Sequence, residues 1–589
     1  MWDDAHRRRG PLTEYDAGPD PEFARLFAQT PHYLSIGAAF GDAPFRWHFG
    51  PIFYRGRTAP GSAKVLVIGQ EGAQDESLAH RSFTGTTGGV LQDFLHTIGI
   101  THSYLFLNTF VYPINGQYDG DFPTLAQDPR SPIAAHRGRI LDHAAATLDL
   151  RLVIAVGRAA KETCVSWLQA HGGHGAPNRL SAADASVIRP GLRMVGVTHP
   201  GSIGTATTEA EKQAAIAAVT ADFTAALGSV RDWAARDAGW LPVDDGARRA
   251  SKYTFGVAPV PHRDFPFGLS WRLGVGTSSG VRRDLQRSIE LPAKGAGEAS
   301  GVRYTIGPGS RTGYSADRGD VVVEPPRRSP LEFDPGPGDF AALLSGSEPG
   351  LDWPDFSTMG LFADPSFGFG PSYRGRLTEP SVLVLADQAS QDDLFLARAL
   401  TGEAGQRLQT WLAAAGLTRS YAILRTLPVD SLGADSAAVQ AAVSHPAVVA
   451  VHRETVRRAK PRAVVALGRF AGSIVDDVTP LGVPVVRMSA WADTPTVRAG
   501  WQTALTALRD VRYPRDVAAS FVWNGRRGQI PRDDLPYGTL RWQGTSGDRA
   551  ARGSRPGFYK ITMPAWAVAA PPPPMTAAEA RAVAELRQG

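Results

Sequence analysis

The chain repeats itself, and the repeat restricts the folds open to it more than any other feature. From Lys64 the segment KVLVIGQEGAQDESLAHRSFTGTTGGVLQDFLHTIGITHSYLFLNT lies without a gap on SVLVLADQASQDDLFLARALTGEAGQRLQTWLAAAGLTRSYAILRT from Ser381. Upstream, GPIFYRGR (Gly50–Arg57) matches GPSYRGR (Gly370–Arg376) with one residue deleted. Downstream, VIAVGRAA (Val153–Ala160) matches VVALGRFA (Val464–Ala471), and RDFPFGLSWRLGVGTS (Arg263–Ser278) echoes RDDLPYGTLRWQGTS (Arg532–Ser546). Such a sequence is expected to build two similar bodies, each with its own core and its own appendage.

Local patterns indicate what those bodies are. Val65–Ile68 and Val382–Leu385 are short β-branched runs ending at a turn, as buried parallel strands do. Val90–Ile98 and Arg407–Ala415 have helical spacing and stop at Gly99 and Gly416, the glycine position that ends helices. Tyr104–Leu107 and Val153–Val156 read as further strands. Strands alternating with helices imply an α/β fold, with ligands at the carboxyl ends of the strands. The expected division is a first body over 31–230, an appendage over 231–305, a Gly/Pro/Arg/Asp-rich linker over 306–354, a second body over 355–511, a basic aromatic appendage over 512–566, and a Pro/Ala-rich tail over 567–589. With 43% hydrophobic residues among 589 there is material for more than one core. A lone cysteine, Cys164, excludes intrachain disulfides and four-cysteine metal sites. The charged N-terminus has no apolar signal region, and the longest apolar runs are strand-length, so a cytoplasmic protein with no membrane partner is expected.

Four short motifs carry chemistry. They are Gly69-Gln70-Glu71 at a strand end, Ser82-Phe83-Thr84-Gly85 with Gly88 and Gly89, Leu107-Asn108-Thr109 at the next strand end, and Thr198-His199-Pro200-Gly201-Ser202. In this order and spacing they resemble the motifs of the uracil-DNA glycosylase superfamily over about 31–225, and more weakly over about 355–511. The resemblance implies two three-layer α/β/α domains around a parallel sheet. It also implies a monofunctional DNA glycosylase that flips a base from the stack and hydrolyses its N-glycosidic bond, leaving an abasic site, with no cofactor. Glu71 would stabilise the oxocarbenium-like sugar and assist water. His199, helped by Gln70, would hold the departing base. Asn108 would read its pairing edge and Phe83 would stack on it. Ser202 and Ile203 fall where relatives contact DNA, Ile203 as an apolar wedge. No lysine stands in the motifs to form a Schiff base.

The second copy discriminates framework from chemistry within one sequence. Gln70-Glu71 becomes Asp387-Gln388, Phe83 becomes Leu400, Asn108 becomes Arg425, and no histidine follows Val485-Val486. Gly85, Gly88, Leu91, Leu95, Gly99 and Tyr104 persist as Gly402, Gly405, Leu408, Leu412, Gly416 and Tyr421. The second body is therefore expected to be inert. The partner is DNA, as duplex with the base flipped out or as a single strand. Arg526, Arg527, Arg541 and Trp542, with Trp523 and Tyr537 interleaved, suit phosphate contact and base stacking. His171 and His174 lie in a glycine-rich stretch without acidic neighbours, and no metal is expected there.

In uracil-specific relatives a large aromatic just beyond the catalytic acid rejects a C5 substituent. Here that neighbourhood is Gly72-Ala73, so a 5-substituted pyrimidine is the expected substrate. Gln74, His80 and the loop Asn115-Gly116-Gln117 would supply polar contacts to a hydroxymethyl or glucosyl group on cytosine, which would make the enzyme a defence against phage DNA. Uracil repair and a catalytically inactive sensor of modified or single-stranded DNA are the alternatives.

Overall fold

A computed structural model describes residues 15–268 and 333–538, except 41–44, 46–50, 73–75, 77–78, 115–116, 176–179, 362–371, 390–392, 394–395, 430, 432–433 and 479–481. It also describes the pairs 289–290 and 303–304 and residues 575–588. The first half forms a six-stranded sheet from β1 (Arg55–Gly56), β2 (Val65–Gly69), β3 (Tyr104–Asn108), β4 (Leu152–Val156), β5 (Ala182–Asp184) and β6 (Arg193–Val197). Their order is β1-β3-β2-β4-β6-β5, with the inner four parallel and the two edge strands antiparallel. β2, β3 and β4 are buried along their whole length, so both faces must be covered by helices. One apolar layer joins Leu66, Ile68, Leu105 and Val153 to the helices Pro21–Ala28, Pro132–Thr147 and Arg158–Ala170. The other joins Val65, Val67, Tyr104 and Ile154 to the helices Thr86–Thr97 and Glu209–Arg236.

The second half repeats five of these six strands in the same order, without a counterpart of β5 among the described residues. β7 (Tyr373–Gly375), β8 (Val382–Ala386), β9 (Tyr421–Arg425), β10 (Ala463–Leu467) and β11 (Val485–Met488) lie in the order β7-β9-β8-β10-β11. β7 is again the antiparallel edge. The register agrees: Gly69 pairs with Asn108 as Ala386 pairs with Arg425, and Val156 pairs with Val197 as Leu467 pairs with Met488. Gly99 and Gly416 both take φ +83°, ending the helices Thr86–Thr97 and Glu403–Ala414 as the sequence indicated.

Several boundaries differ from the sequence expectation. The first body begins before residue 31, because Phe23 and Phe27 are in its core and Asp16 bonds Arg81 and Tyr54. The expected linker over 306–354 contains Phe340, Leu343, Leu344 and Trp353, which are in the core of the second half. Trp523 and Tyr537 are core residues and not exposed stacking platforms. Trp523 stacks on Trp501 at 5.2 Å, and Tyr537 packs into the core of the first half beside Phe27. Hydrophobic pattern alone could not say which of two cores each aromatic enters. The tail does form the expected helix, Ala577–Gln588, and Val583 joins Tyr33, Ile36 and Phe110 of the first half. The helix Glu209–Arg236 runs past the expected boundary at 230. It is long and apolar enough by composition to cross a bilayer, and its Val219, Phe223, Leu227 and Val230 are buried against the sheet.

Each sheet is tied to its appendage by one buried ion pair. Arg55 Nη1 donates to Asp264 Oδ2 at 2.7 Å, and the Tyr104 hydroxyl donates to the same oxygen at 2.8 Å. Arg374 Nη1 and the Tyr421 hydroxyl donate to Asp534 Oδ2, each at 2.7 Å. Removing one partner of a buried pair leaves the other charge uncompensated. Asp264→Ala and Asp534→Ala should each lower stability by about 3–5 kcal/mol, measurable by chemical denaturation.

Candidate active site

The carboxyl ends of β3, β2, β4 and β6 stand side by side and carry Asn108, Gly69-Gln70-Glu71, Gly157 and His199 in that order. Adjacent strands are about 4.8 Å apart, so three strand spacings, roughly 14 Å, separate the ends of β3 and β6. Gly69 forms the floor. A Cβ there would lie 2.2 Å from Phe83 Cζ and 2.8 Å from Asn108 Oδ1, so only glycine lets the ring and the amide come together. Asn108 Nδ2 donates to Ser82 Oγ at 3.5 Å, which links the reading amide to the turn carrying Phe83. That turn depends on Gly88, whose Cβ would lie 1.7 Å from Phe83 O.

His199 follows β6 on a loop pinned by Thr198, whose N–H and hydroxyl both donate to Asp222 Oδ2 at 2.9 and 2.5 Å. The Gly201 N–H donates to His199 Nδ1 at 2.9 Å. Nδ1 is therefore the acceptor, and the ring proton resides on Nε2. Burial pushes the imidazole down to about 4 from 6.5, so it is neutral at pH 7 and presents an uncharged N–H donor. Gly157, at φ +83°, leaves space for this ring, since a Cβ there would lie 3.0 Å from His199 Cβ.

Glu71 Oε2 accepts the Ile114 N–H at 2.7 Å. In the second half Gln388 Oε1 accepts the Ser431 N–H, also at 2.7 Å. Equivalent positions in the two halves thus make the same backbone anchor, one through a carboxylate oxygen and the other through an amide oxygen. Glu76 Oε1 accepts the Thr84 N–H at 3.2 Å, as Asp393 Oδ1 accepts the Thr401 N–H at 2.9 Å, so this second carboxylate is framework in both halves.

The equivalent location in the second half is filled. Arg425 is 2% exposed and donates to Val429 O at 2.8 Å. Asp387 turns over the start of the helix Arg469–Val478 and accepts the N–H groups of Phe470 and Ala471 at 3.0 and 2.8 Å. Strand register places Ala490 where the first half has His199, an equivalence the unaligned sequence could not supply.

The remaining expected residues are placed as follows. Gln70 is partly buried beside Glu71. Ser202 is exposed, and its hydroxyl donates to His199 O at 3.1 Å. Ile203 is half-buried against the core rather than standing clear of the surface as a free wedge. Arg526 is exposed, and Arg527 pairs with Glu403 at 3.4 Å. Arg541 and Trp542, with Ala73, Gln74, Asp75 and Asn115-Gly116, lie outside the described residues. Gly72 does not open the pocket by lacking a side chain, because Ile52 Cδ1 lies 2.3 Å from where its Cβ would be. Sequence alone assigned no individual role to Gly157, Gly201, Ser82 or Ile52, although Ser82 and Gly201 stand within the motifs and Gly157 in the repeated Gly-Arg after β4 and β10. No group of metal ligands exists among the described residues, and His171 Nδ1 and Nε2 face Trp167 O and Asp142 instead.

Residues 56–224 match the family model of the uracil DNA glycosylase superfamily, a span that holds every motif of this site. The match supports placing that segment in the superfamily. No curated protein matches the chain.

Two outcomes check the geometry. Gly69→Ala should fold, since the added methyl meets only the ends of the Phe83 and Asn108 side chains, and should lose ligand binding at the slot. A crystal structure of the variant would show the displaced ring. The His199 imidazole, with a folded value near 4, should titrate by NMR well below 6.5. Because the unfolded chain takes up the proton first, this residue should cost stability as pH falls from about 6.5 towards 4.

Proposed function

We propose that the first half is a monofunctional DNA glycosylase acting on a flipped pyrimidine, and that the chain is a duplication whose second half has lost the chemistry. One observation carries the reading. A neutral Nε2–H donor at His199 and the carboxylate of Glu71 stand along one row of strand ends with Asn108, whose amide meets the Phe83 ring over Gly69. The superfamily match over the same residues supports it.

In this reading each residue has a separate task. The base enters over Gly69, stacks on Phe83 and offers its pairing edge to the Asn108 amide. As the N-glycosidic bond lengthens, negative charge moves onto the base, and the His199 Nε2–H donates to the oxygen that receives it. An uncharged donor is matched to a leaving anion that departs without being protonated, and such a donor is worth about 3–4 kcal/mol. Positive charge develops on the sugar, where Glu71 stabilises it and orients water for attack at the anomeric carbon. Bond cleavage leaves the free base and an abasic site, with the water proton passing to solvent or to the base.

The substrate we propose is a 5-substituted pyrimidine, including hydroxymethyl- or glucosylated cytosine of phage DNA, with uracil as the comparison. The small side chain of Ala73 is the support for the substituent, because Ile52 closes the space beside Gly72. DNA is the partner, with Ser202, Ile203, Arg526 and Arg527 as contacts.

Glu71→Gln keeps the Ile114 anchor, as Gln388 demonstrates, and should lower single-turnover excision by about two orders of magnitude or more while duplex binding changes little. His199→Ala should do the same. Normal excision by Glu71→Gln would refute the assignment. Parallel assays on duplexes carrying uracil, 5-hydroxymethylcytosine or glucosyl-hydroxymethylcytosine would identify the base, and a uracil preference would overturn the 5-substituted substrate.

A further inference from the structure

The second half fills its own site but reaches into the first. The turn presenting Phe83 holds two non-glycine residues, His80 and Phe83, at φ +58° and +55°, in the left-handed region such residues rarely adopt. A turn of this kind persists only where its surroundings over-determine it. Two of its restraints are local: Arg55 Nε donates to Ser82 O, and the Ser82 N–H donates to Tyr54 O, each at 3.0 Å. The others come from beyond the second sheet. Arg81 Nη1 donates to Tyr537 O at 3.0 Å, and His80 Nδ1 bonds Gly538 O at 3.1 Å. Arg81 Nε is at the same time bound to Asp16 Oδ2 at 2.6 Å. The Tyr537 ring is seated against Phe27, Phe53 and Tyr54 of the first half.

Resting on the glycosylase reading above, we infer that Arg81 and the Tyr537-Gly538 segment form a positioning device for the stacking ring of Phe83, so that the inert half serves the site of the other. Arg81 is two residues from Phe83, and its fork joins three separated parts of the chain: Asp16, the His80 carbonyl and Tyr537. A loosened fork would let the turn relax towards ordinary backbone angles and swing the ring off the slot.

The molecule contains a matched control. Arg398 Nε binds Asp334 at 2.7 Å and its Nη1 donates to Phe267 O at 2.6 Å, while Phe267 packs edge-on against Tyr373. That turn holds Ala397 and Leu400 at φ +56° and +49°. Apart from the His80–Gly538 bond, which Ala397 cannot make, the two devices use the same arginine–aspartate–carbonyl arrangement, and the exchange is reciprocal, each appendage gripping the opposite half. Only one of them leads to Phe83.

The test uses four full-length variants: Arg81→Lys and Tyr537→Leu at the first device, Arg398→Lys and Phe267→Leu at the second. Lysine retains the charge but cannot form the fork. Three readouts are taken: hydrogen exchange of residues 79–88 and 396–405 without DNA, single-turnover excision from a duplex carrying the best substrate base, and affinity for that duplex. The first pair should raise exchange at 79–88 and slow excision about tenfold or more with affinity within about twofold, since a displacement of about 1 Å at a reacting group is enough for such a loss. The second pair should raise exchange at 396–405 and leave excision within about twofold. Equal slowing by both pairs would show a role in general stability and overturn the inference, as would unchanged exchange at 79–88. If Arg81→Lys does not fold, Tyr537→Leu decides. A wild-type protein that excises no base refutes the glycosylase reading instead, and the exchange at 79–88 then settles the positioning alone.

Discussion

Four of the buried arginines tie distant parts of this molecule together, each paired with an aspartate far away in sequence. Arg55 and Arg374 rise from the edge strands β1 and β7 to Asp264 and Asp534. Arg81 and Arg398 lie in the turns before the first site helices and meet Asp16 and Asp334. A buried guanidinium is tolerable only when paired and hydrogen-bonded. Each pair therefore forces a segment far along the chain to return to its sheet. The tyrosines Tyr54, Tyr104, Tyr373 and Tyr421 each donate to one of these carboxylates, so that every aspartate is shared by a cation and a hydroxyl.

This arrangement explains why the appendages cross. Arg81 and Arg398 have more donors than one carboxylate can take, and the surplus goes to backbone carbonyls of the opposite half, Tyr537 O and Phe267 O. The aromatic side chains of those same residues fill gaps in the opposite cores. Arg81 with Tyr537 and Arg398 with Phe267 are thus counterparts, each arginine of one half holding a backbone carbonyl that belongs to the other half's appendage. Arg425 and Asp387 stand on strand ends whose register matches that of Asn108 and Gln70.

The electrostatics of the two slots diverge accordingly. In the first, glycines at 69, 157 and 201 leave space around Phe83, Asn108 and His199, and the helix Arg158–Ala170 starts without a side-chain cap. In the second, Asp387 supplies that cap, and burial lifts its carboxyl to about 6.

Much of this was legible in the residues themselves. The repeat, the β-branched runs, the glycine helix stops and the motif order indicate two α/β sheets with parallel inner strands and place Glu71 and Asn108 at strand ends. These are local or periodic properties, set by backbone geometry and by which side chains avoid water. Tertiary structure decided the rest. The tautomer of His199 depends on the Gly201 N–H, and the common anchor of Glu71 and Gln388 is visible only in the loops that they hold. The fate of Tyr537 and Phe267 could not be read from sequence. Two cores of nearly identical chemistry offer equal burial to an aromatic residue, and only the directed hydrogen bonds of Arg81 and Arg398 determine which core each one enters.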